Sequence, residues 1–442
     1  MVAPKAPSFF YGQYCDWDDT KNSGDRGTMN SRLQAEVRRR QNLTVQFYHS
    51  AIGNKLKKRR TELRMTQQTL AKGIISNTFV SKLENNVIHA NKECLMMLME
   101  RLDLPLDTVN LPENLLNMLH RSVDFYYWMD RQGYRDVIDQ TRSDDFSVLV
   151  QIIRLGYACL IRNTEEAIPL FNDLCRYFPS MDDQAFSVFM VYGAEAHLLT
   201  GDYPMVRECL NSAEQIVGTD RRLVAMIHHH YCLLYGFTEE WGSAFREGAE
   251  ARRNFEETGN LRRLMKMNVD RFQFRLADQT DWTIPYSPDQ LSLLDAYDVD
   301  RYHFLRAVLE SEHEDLFDKI EYNSQWYPVC LFLRCWKAQS EGNQGRFTEL
   351  MTQWERLESS AEWLIDYRHL LELSAKGDLT GLKDYLVDVV LPLAIQKNNL
   401  FLMKRVTDEI FRILTKKKRY KDACIYAEKL VKETERIKRK WN

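Results

Sequence analysis

Hydrophobic residues between positions 51 and 106 recur at the spacing of short amphipathic helices. Ile52, Leu56 and Leu63 fall on one face of a first helix, whose remaining positions are largely basic. A second short hydrophobic segment follows at Leu70 and Ala71. The pattern therefore predicts a compact module of short helices in this part of the chain.

Capping and turn residues divide this module. Thr66 and Ser76 are each suited to a helix N-terminus, because a hydroxyl oxygen accepts a hydrogen bond from an unpaired backbone N–H group. Gly73 lies between them and is expected to end the earlier helix. In the helix that follows Ser76, Val80 and Leu83 are expected to face inward. Two short helices joined by a glycine-containing turn form a helix-turn-helix.

The chain from residue 107 to residue 442 has the periodicity of amphipathic helices almost throughout. Short polar turns recur there at intervals close to the roughly 34 residues of a tetratricopeptide repeat, and Thr200-Gly201-Asp202-Tyr203 is the clearest of them. Stacked helix pairs form a superhelix whose concave face most often binds an extended peptide or a partner helix. We therefore predict an all-α protein, with a tetratricopeptide-like α-solenoid after the module of residues 51–106.

Composition and charge refine this prediction. The chain has only 18 Gly and 11 Pro, which favours helices over turns, and its net charge of −3 excludes a protein held on nucleic acid along its whole length. The charge is uneven, because basic side chains exceed acidic ones by five over residues 52–104 and acidic side chains exceed basic ones by ten over residues 105–442. This asymmetry predicts a polyanionic partner at the front of the chain.

Other classes of protein find no support in the sequence. Common nucleotide-binding, serine-hydrolase and metalloprotease motifs are absent, so we expect neither an enzyme nor a cofactor. Adjacent histidines at His228, His229 and His230 point in different directions on a helix and cannot all bind one metal ion.

The cysteines and the hydropathy of the chain bear on its cellular location. The nine cysteines include no C-x-x-C pair, and no apolar run is long enough to cross a membrane, so we expect a cytoplasmic protein without membrane contact. Residues 1–50 are interpreted as a partly disordered N-terminal extension, because residues 1–30 are polar and lack periodicity.

The motif Thr66-Gln67-x-x-Leu70-Ala71, followed by Ser76-x-x-x-Val80-Ser81-Lys82-Leu83-Glu84-Asn85, resembles the helix-turn-helix of phage repressors, often called XRE. The resemblance covers residues 51–106 and implies a five-helix domain. The segment Gly73-Ile74-Ile75-Ser76 is similar to the Rgg and PlcR branch in particular. Two positions depart from the pattern. Asn86 stands where glycine is usual, and Phe79 stands where a small residue is common, so that Phe79 either contacts a thymine methyl group or packs inside.

The resemblance implies a set of DNA contacts. The helix from Asn77 is expected to enter the major groove, with Asn77 pairing with adenine and Lys82 reaching a guanine or a phosphate. Contacts to bases or backbone are expected from Thr78, Phe79 and Ser81, phosphate contacts from Gln67 and Asn85, and sequence-independent attraction from Lys57, Lys58 and Arg60. The implied partner is a double-stranded DNA operator bound by a homodimer. The alternative is a helical bundle of this shape used only for protein contacts.

Likeness to Rgg and PlcR regulators also implies quorum sensing, in which a repeat domain receives a short intracellular signalling peptide. In that family an asparagine on a central repeat helix often clamps the peptide backbone, and Asn268 is the candidate here, with Arg271 and Arg275 placed to bind a peptide carboxylate. Further candidates are polar residues on other repeat helices, namely Tyr192, Glu195, His229 and Arg334. The alternative function is a DNA-tethered repeat scaffold whose concave surface binds a folded protein.

Overall fold

The computed structural model describes residues 23–41, 51–85, 92–104, 111–141, 147–272, 274, 286–309, 311–322, 324, 326–357, 362–396 and 400–441. These residues form helices and, among them, no strand, which confirms the predicted all-α class. None of the described helices is both long and apolar enough to cross a membrane. The chain divides into two compact units, one comprising Asp18–Leu264 and the other including Met265–Asn442.

The first described helix, α1 (Ser23–Gln41), lies within the predicted N-terminal extension. Within the predicted extension the structure thus describes residues 23–41 as helix, whereas residues 1–22 and 42–50 lie outside the described part. Leu33 and Val37 of α1 are buried, because the helix packs against the repeats of the first unit. Sequence periodicity missed this helix because its few apolar positions are outnumbered by polar ones.

A buried arginine anchors α1. The Arg40 guanidinium donates to a carboxylate oxygen of Asp183 at 2.8 Å and to the backbone carbonyls of Phe178 and Met181, both at 2.7 Å. It also lies over the Phe186 ring, 4.3 Å from the ring centroid. The side chain is only 2% exposed, so its charge is used inside the protein and not on a surface that attracts DNA.

The helix-turn-helix module comprises α2 (Ala51–Glu62), α3 (Gln67–Ala71), α4 (Asn77–Glu84) and α5 (Lys92–Arg101). Both predicted caps are present, because Thr66 accepts a hydrogen bond from the backbone of Thr69 at 3.1 Å and Ser76 accepts one from Phe79 at 3.1 Å. Gly73 has a φ of 77°, a left-handed conformation that glycine adopts at little cost. The turn between α3 and α4 therefore forms as its residues predict.

One hydrophobic cluster holds these four helices together. It contains residues from each of them, namely Leu56, Leu70, Ala71, Val80, Leu83, Leu95, Leu98, Met99 and Leu102. Leu63, which was expected on the inner face of α2, is 42% exposed, because α2 ends at Glu62 and the chain then turns through a left-handed residue at Arg64. The side chain of Ile52 lies outside the described part.

Helical hairpins make up the rest of the first unit. Their helices are α6 (Leu111–Tyr127), α7 (Arg131–Asp139), α8 (Val148–Leu160), α9 (Thr164–Leu174), a 3-10 helix (Cys175–Ser180), α10 (Asp183–Thr200), α11 (Tyr203–Glu214), α12 (Arg221–Phe237) and α13 (Trp241–Thr258). Within this unit α10 pairs with α11, α12 pairs with α13, and α8 packs between α6 and α10. At the predicted Thr200–Tyr203 turn, Gly201 is left-handed and Asp202 caps α11. Stacked hairpins of this kind agree with the predicted helical repeats.

The helices that follow are α14 (Leu261–Phe272), α15 (Pro288–Leu291), α16 (Ala296–Leu309), a 3-10 helix (Ser311–Lys319), α17 (Tyr327–Ser340), α18 (Gln344–Glu355), α19 (Glu362–Ala375), α20 (Leu379–Tyr385) with a π-helical turn (Leu386–Val390), α21 (Leu391–Gln396), α22 (Leu400–Lys416) and α23 (Tyr420–Trp441). In the second unit α17 packs against α18, and α22 packs against α23.

Replacing Arg40 by glutamine should lower the free energy of unfolding by about 3 kcal/mol, because it breaks a buried ion pair. We expect the lower end of the usual range, since Asp183 can be hydrated once the arginine is gone. Thermal unfolding followed by circular dichroism measures this change. Arg176→Gln is the matched control, since Arg176 and Asp173 are 72% and 69% exposed and their ion pair should contribute less than about 1 kcal/mol. Equal unfolding temperatures for the two variants would contradict the assignment of Arg40 as an anchor.

Candidate DNA-binding surface

Helix α4 presents polar side chains from its first and last turns to solvent. Asn77, Thr78 and Lys82 are exposed, while Val80 and Leu83 are buried in the cluster. This division follows from the helical period, which places residues three or four positions apart on the same face. The exposed face carries an amide, a hydroxyl and an ammonium group, which are side chains able to bond base edges or phosphates.

A buried carboxylate fixes α4 against its neighbours. Glu84, at the end of α4, is fully buried and accepts hydrogen bonds from Arg60 of α2, at 2.5 Å from Nε and 2.9 Å from Nη2. The Gln67 amide nitrogen, at the start of α3, donates to the same carboxylate at 2.8 Å. Arg60 also donates to the backbone carbonyl of Met65 at 2.8 Å. One acidic side chain therefore joins three helices of the module.

This network includes two residues for which DNA contacts were predicted. Arg60 was expected to attract phosphates as a surface cation, but its guanidinium is only 14% exposed and is occupied by Glu84. Gln67 remains half-buried at the N-terminus of α3, where its amide is oriented by the same carboxylate. Sequence reasoning missed Glu84 itself. The signal was present, because an acidic residue on an inward helical position requires a buried basic partner.

Lys57 and Asn85 lie together at the C-terminal end of α4. Lys57 Nζ donates to the side-chain oxygen of Asn85 at 3.2 Å, and the Asn85 amide nitrogen donates to the Ser81 carbonyl at 2.9 Å. Burial lowers the pKa of the Lys57 ammonium. Lys57 and Asn85, which were expected to contact phosphates, therefore also stabilise this end of the helix. Ser81 is half-buried beside them.

Lys58 occupies a different environment from the one predicted. It lies on the part of α2 near the repeats, where Asp173 of α9, Arg154 of α8 and Glu62 act on its charge. Burial is the main influence and lowers its pKa. The structure therefore places Lys58 beside charged residues of the repeats, which favours contacts within the first unit over the predicted attraction of phosphates.

The body of the first unit packs against α2 and leaves the exposed face of α4 open. Helix α2 contacts α6, α8 and the 3-10 helix at Cys175–Ser180. Phe79 is half-buried against the hydrophobic cluster, so the structure supports the packing alternative for this residue. Asn77, Thr78 and Lys82 thus project from a helix held on its other sides by a packed core.

Two predicted peptide contacts are buried inside the first unit. Tyr192 is fully buried and its ring centroid lies 4.6 Å from that of Tyr126. His229 is 1% exposed and its ring meets Phe255 edge-on. Neither Tyr192 nor His229 is accessible to a peptide, because each fills the space between packed helices. These two expectations are therefore corrected.

The remaining predicted peptide contacts have varied surroundings. Glu195 lies 2.6 Å from Nε2 of the buried His230, which ties α10 to α12. Arg334 pairs with Asp318 at 2.9 Å. Asn268 and Arg271 are half-buried on α14. Arg275 lies outside the described residues.

A capped two-helix turn, a packed core and a recognition helix with an exposed polar face are the features of a DNA-binding helix-turn-helix domain. Comparison with known families agrees, because the model described as Helix-turn-helix matches residues 56–109. The chain therefore carries a helix-turn-helix domain over this segment, a fold found in DNA-binding transcription regulators.

One solved structure is similar to a larger part of the chain. A crystal structure of PlcR from Bacillus thuringiensis in complex with the peptide PapR7 and DNA is similar to this chain over 60% of its length and 98% of the PlcR chain, with 12% sequence identity and a TM-score of 0.29. No curated protein sequence matches the chain.

Replacing Glu84 by glutamine should lower the free energy of unfolding by about 3 kcal/mol, because the Arg60 charge then loses its buried partner. Thermal unfolding followed by circular dichroism reports the change. Glu100→Gln on the exposed face of α5 is the matched control and should alter stability by no more than about 0.5 kcal/mol. A Glu84 variant as stable as this control would show that the carboxylate does not hold the module together.

Proposed function

We propose that this protein is a sequence-specific transcription regulator whose helical repeats bind a short intracellular peptide, and that the peptide changes how the helix-turn-helix binds DNA. The DNA-binding part is supported most directly by α4, whose exposed Asn77, Thr78 and Lys82 stand on a helix fixed by the buried Glu84. Direct reading of bases requires such preorganised polar side chains at the N-terminal part of a recognition helix.

In the proposed complex α4 lies in the major groove. Asn77 pairs with an adenine through both its amide oxygen and its amide nitrogen, and Lys82 donates to a guanine or to a nearby phosphate. Gln67 contacts a phosphate beside the free N–H groups at the start of α3, held in place by its bond to Glu84. A homodimer would place two such helices on two half-sites of an operator.

The peptide-binding part of the proposal concerns α14. Asn268 and Arg271 are half-buried, so each is partly open to a ligand while its conformation is restricted by neighbours. An asparagine amide can bond the donor and the acceptor of one peptide unit at the same time, and an arginine suits a carboxylate. Stacked helix pairs supply the extended surface that such a peptide needs.

Asn77→Ala and Lys82→Ala should each weaken binding to a preferred DNA duplex by about 1–3 kcal/mol. Asn77→Ala should weaken binding to a random duplex far less than binding to the preferred one. The duplex is obtained by selecting bound sequences from a random library, and affinities are measured by fluorescence anisotropy at fixed salt. Lys58→Ala is the matched control, because Lys58 faces Asp173 and the repeats and should leave both affinities nearly unchanged. Loss of affinity from Lys58→Ala equal to that from Lys82→Ala would contradict this assignment.

Asn268→Ala should abolish the effect of a peptide on DNA binding. The affinity of this variant for DNA without peptide should equal that of the natural protein. A pool of short synthetic peptides is screened for a rise in the unfolding temperature of the natural protein, and each hit is then tested for an effect on duplex binding. Asn172→Ala, on the exposed surface of α9, is the matched control and should keep the full response. The peptide assignment fails if the Asn268 variant still responds to every hit as the natural protein does.

A further inference from the structure

The C-terminal end of α6 is bound by residues more than a hundred positions later in the chain. Asn260, between α13 and α14, donates from its side-chain amide to the Tyr127 carbonyl at 2.7 Å. Arg263, in the first turn of α14, donates to the same carbonyl at 3.1 Å and to the Tyr126 carbonyl at 2.5 Å. Its guanidinium also lies 4.8 Å from the centroid of the Tyr126 ring. We call Asn260 and Arg263, with these two carbonyls, the α6 clasp.

Further bonds surround the clasp. The Tyr127 hydroxyl lies 2.5 Å from Oγ1 of Thr258, at the end of α13. Arg222 of α12 pairs with Asp124 of α6 at 2.5 Å. Arg262 donates to the carbonyl of Met129 at 3.2 Å. The corner between α13 and α14 is therefore joined to the end of α6 by several polar contacts in addition to packing.

The clasp is sensitive to position for a physical reason. The last carbonyl groups of a helix lack partners within the helix and form the negative end of its dipole, so a cation placed there is favourable. Arg263 is only 2% exposed and Asn260 is fully buried. A buried donor that loses its acceptor cannot turn to water instead, so the corner and α6 must move together or break these bonds.

Helix α6 also contacts the DNA-binding module. It packs against α2, and α2 packs in addition against α8, the neighbour of α6. Helix α2 carries Arg60, which holds Glu84 at the end of α4. A continuous set of contacts therefore runs from the α13–α14 corner through α6 and α2 to the recognition helix, all within the first unit.

We propose that Asn260 and Arg263 are positioning residues for the helix-turn-helix, which couple the α13–α14 corner to the DNA-binding module through α6. The inference rests on the DNA-binding part of the proposed function and adds to it the route of regulation. Such coupling is reciprocal, and DNA bound at α4 must then affect the corner.

Hydrogen exchange read by mass spectrometry tests this reciprocity on the full chain. The probe is a DNA duplex selected by the protein from a random library, and peptides covering the α13–α14 corner are compared with and without it. In the natural protein the duplex should change the exchange rate at the corner by about fivefold or more, the lower end of ordinary coupling. A residue that only stabilises the fold would change the basal rate and leave the response to DNA intact.

The Arg263→Gln variant should still bind the duplex, but the duplex should no longer change the rate of hydrogen exchange at the α13–α14 corner. Thr258→Val removes the bond to the Tyr127 hydroxyl together with local bonds to the Asn254 and Phe255 carbonyls. It should fold and reduce the response in part, so the test does not depend on the stability of the arginine variant. Arg253→Gln, on the exposed face of α13, is the matched control and should keep the full response.

Two results would overturn the inference while leaving the proposed function intact. One is a natural protein that binds the duplex with no change in exchange at the corner. The other is an Arg263 or Thr258 variant that folds, binds the duplex and shows the same response as the natural protein. A natural protein that retains no duplex at low salt would overturn the proposed function and the inference with it, so the anisotropy measurement separates the two failures.

Discussion

The position of the recognition helix depends on the burial of a single carboxylate. A buried ionised group is unfavourable unless it is paired and hydrogen-bonded, and Glu84 meets this condition only when Arg60 of α2 and Gln67 of α3 both reach it. The arginine fork meets the carboxylate through two parallel bonds, which restricts angle as well as distance. Displacement of α4 from α2 would leave a charge buried without its partner, so the exposed face of α4 is held in one orientation. Because α2 itself packs on α6 and α8, the orientation of α4 is also fixed relative to the body of the first unit.

The excess of basic residues at the front of the chain has two different uses. Arg40, Arg59 and Arg60 bond backbone carbonyls or buried carboxylates, and Arg59 donates to the Leu102 carbonyl at 3.1 Å. Lys72 and Lys82 remain exposed. Net charge along a sequence does not separate these uses, because an arginine side chain is long enough to reach an acceptor in a distant segment. The proposed attraction of DNA therefore rests on fewer cations than the charge count suggests, and the proposed specificity depends more on the shape of the α4 surface.

Local features were predictable from the sequence, and long-range ones were not. The caps at Thr66 and Ser76, the turn at Gly73 and the inward positions of α4 each depend on residues within one or two helical turns, where periodicity and capping rules apply. The burial of Tyr192 and His229 depends on which helices meet them across the repeats, which periodicity alone does not give. The same limit explains why α1 was missed, since its anchor lies more than a hundred residues away, at Asp183.

Arginine side chains from distant segments bind the carbonyl ends of several helices in the first unit. Arg101 of α5 donates to the carbonyls of Leu70 and Lys72 at the end of α3, and Arg263 does the same at the end of α6. Every helix leaves its last carbonyl groups without partners, and most proteins satisfy them with glycine turns or water close by. At the ends of α3 and α6 this local requirement is met in part by a long-range bond. The stability of a helix end then depends on the placement of another helix, and the planar guanidinium, which can reach two carbonyls together, makes that dependence directional. A chain built in this way stabilises its helices and fixes their mutual arrangement with the same bonds, which is why displacement at one helix corner is expected to be felt at another.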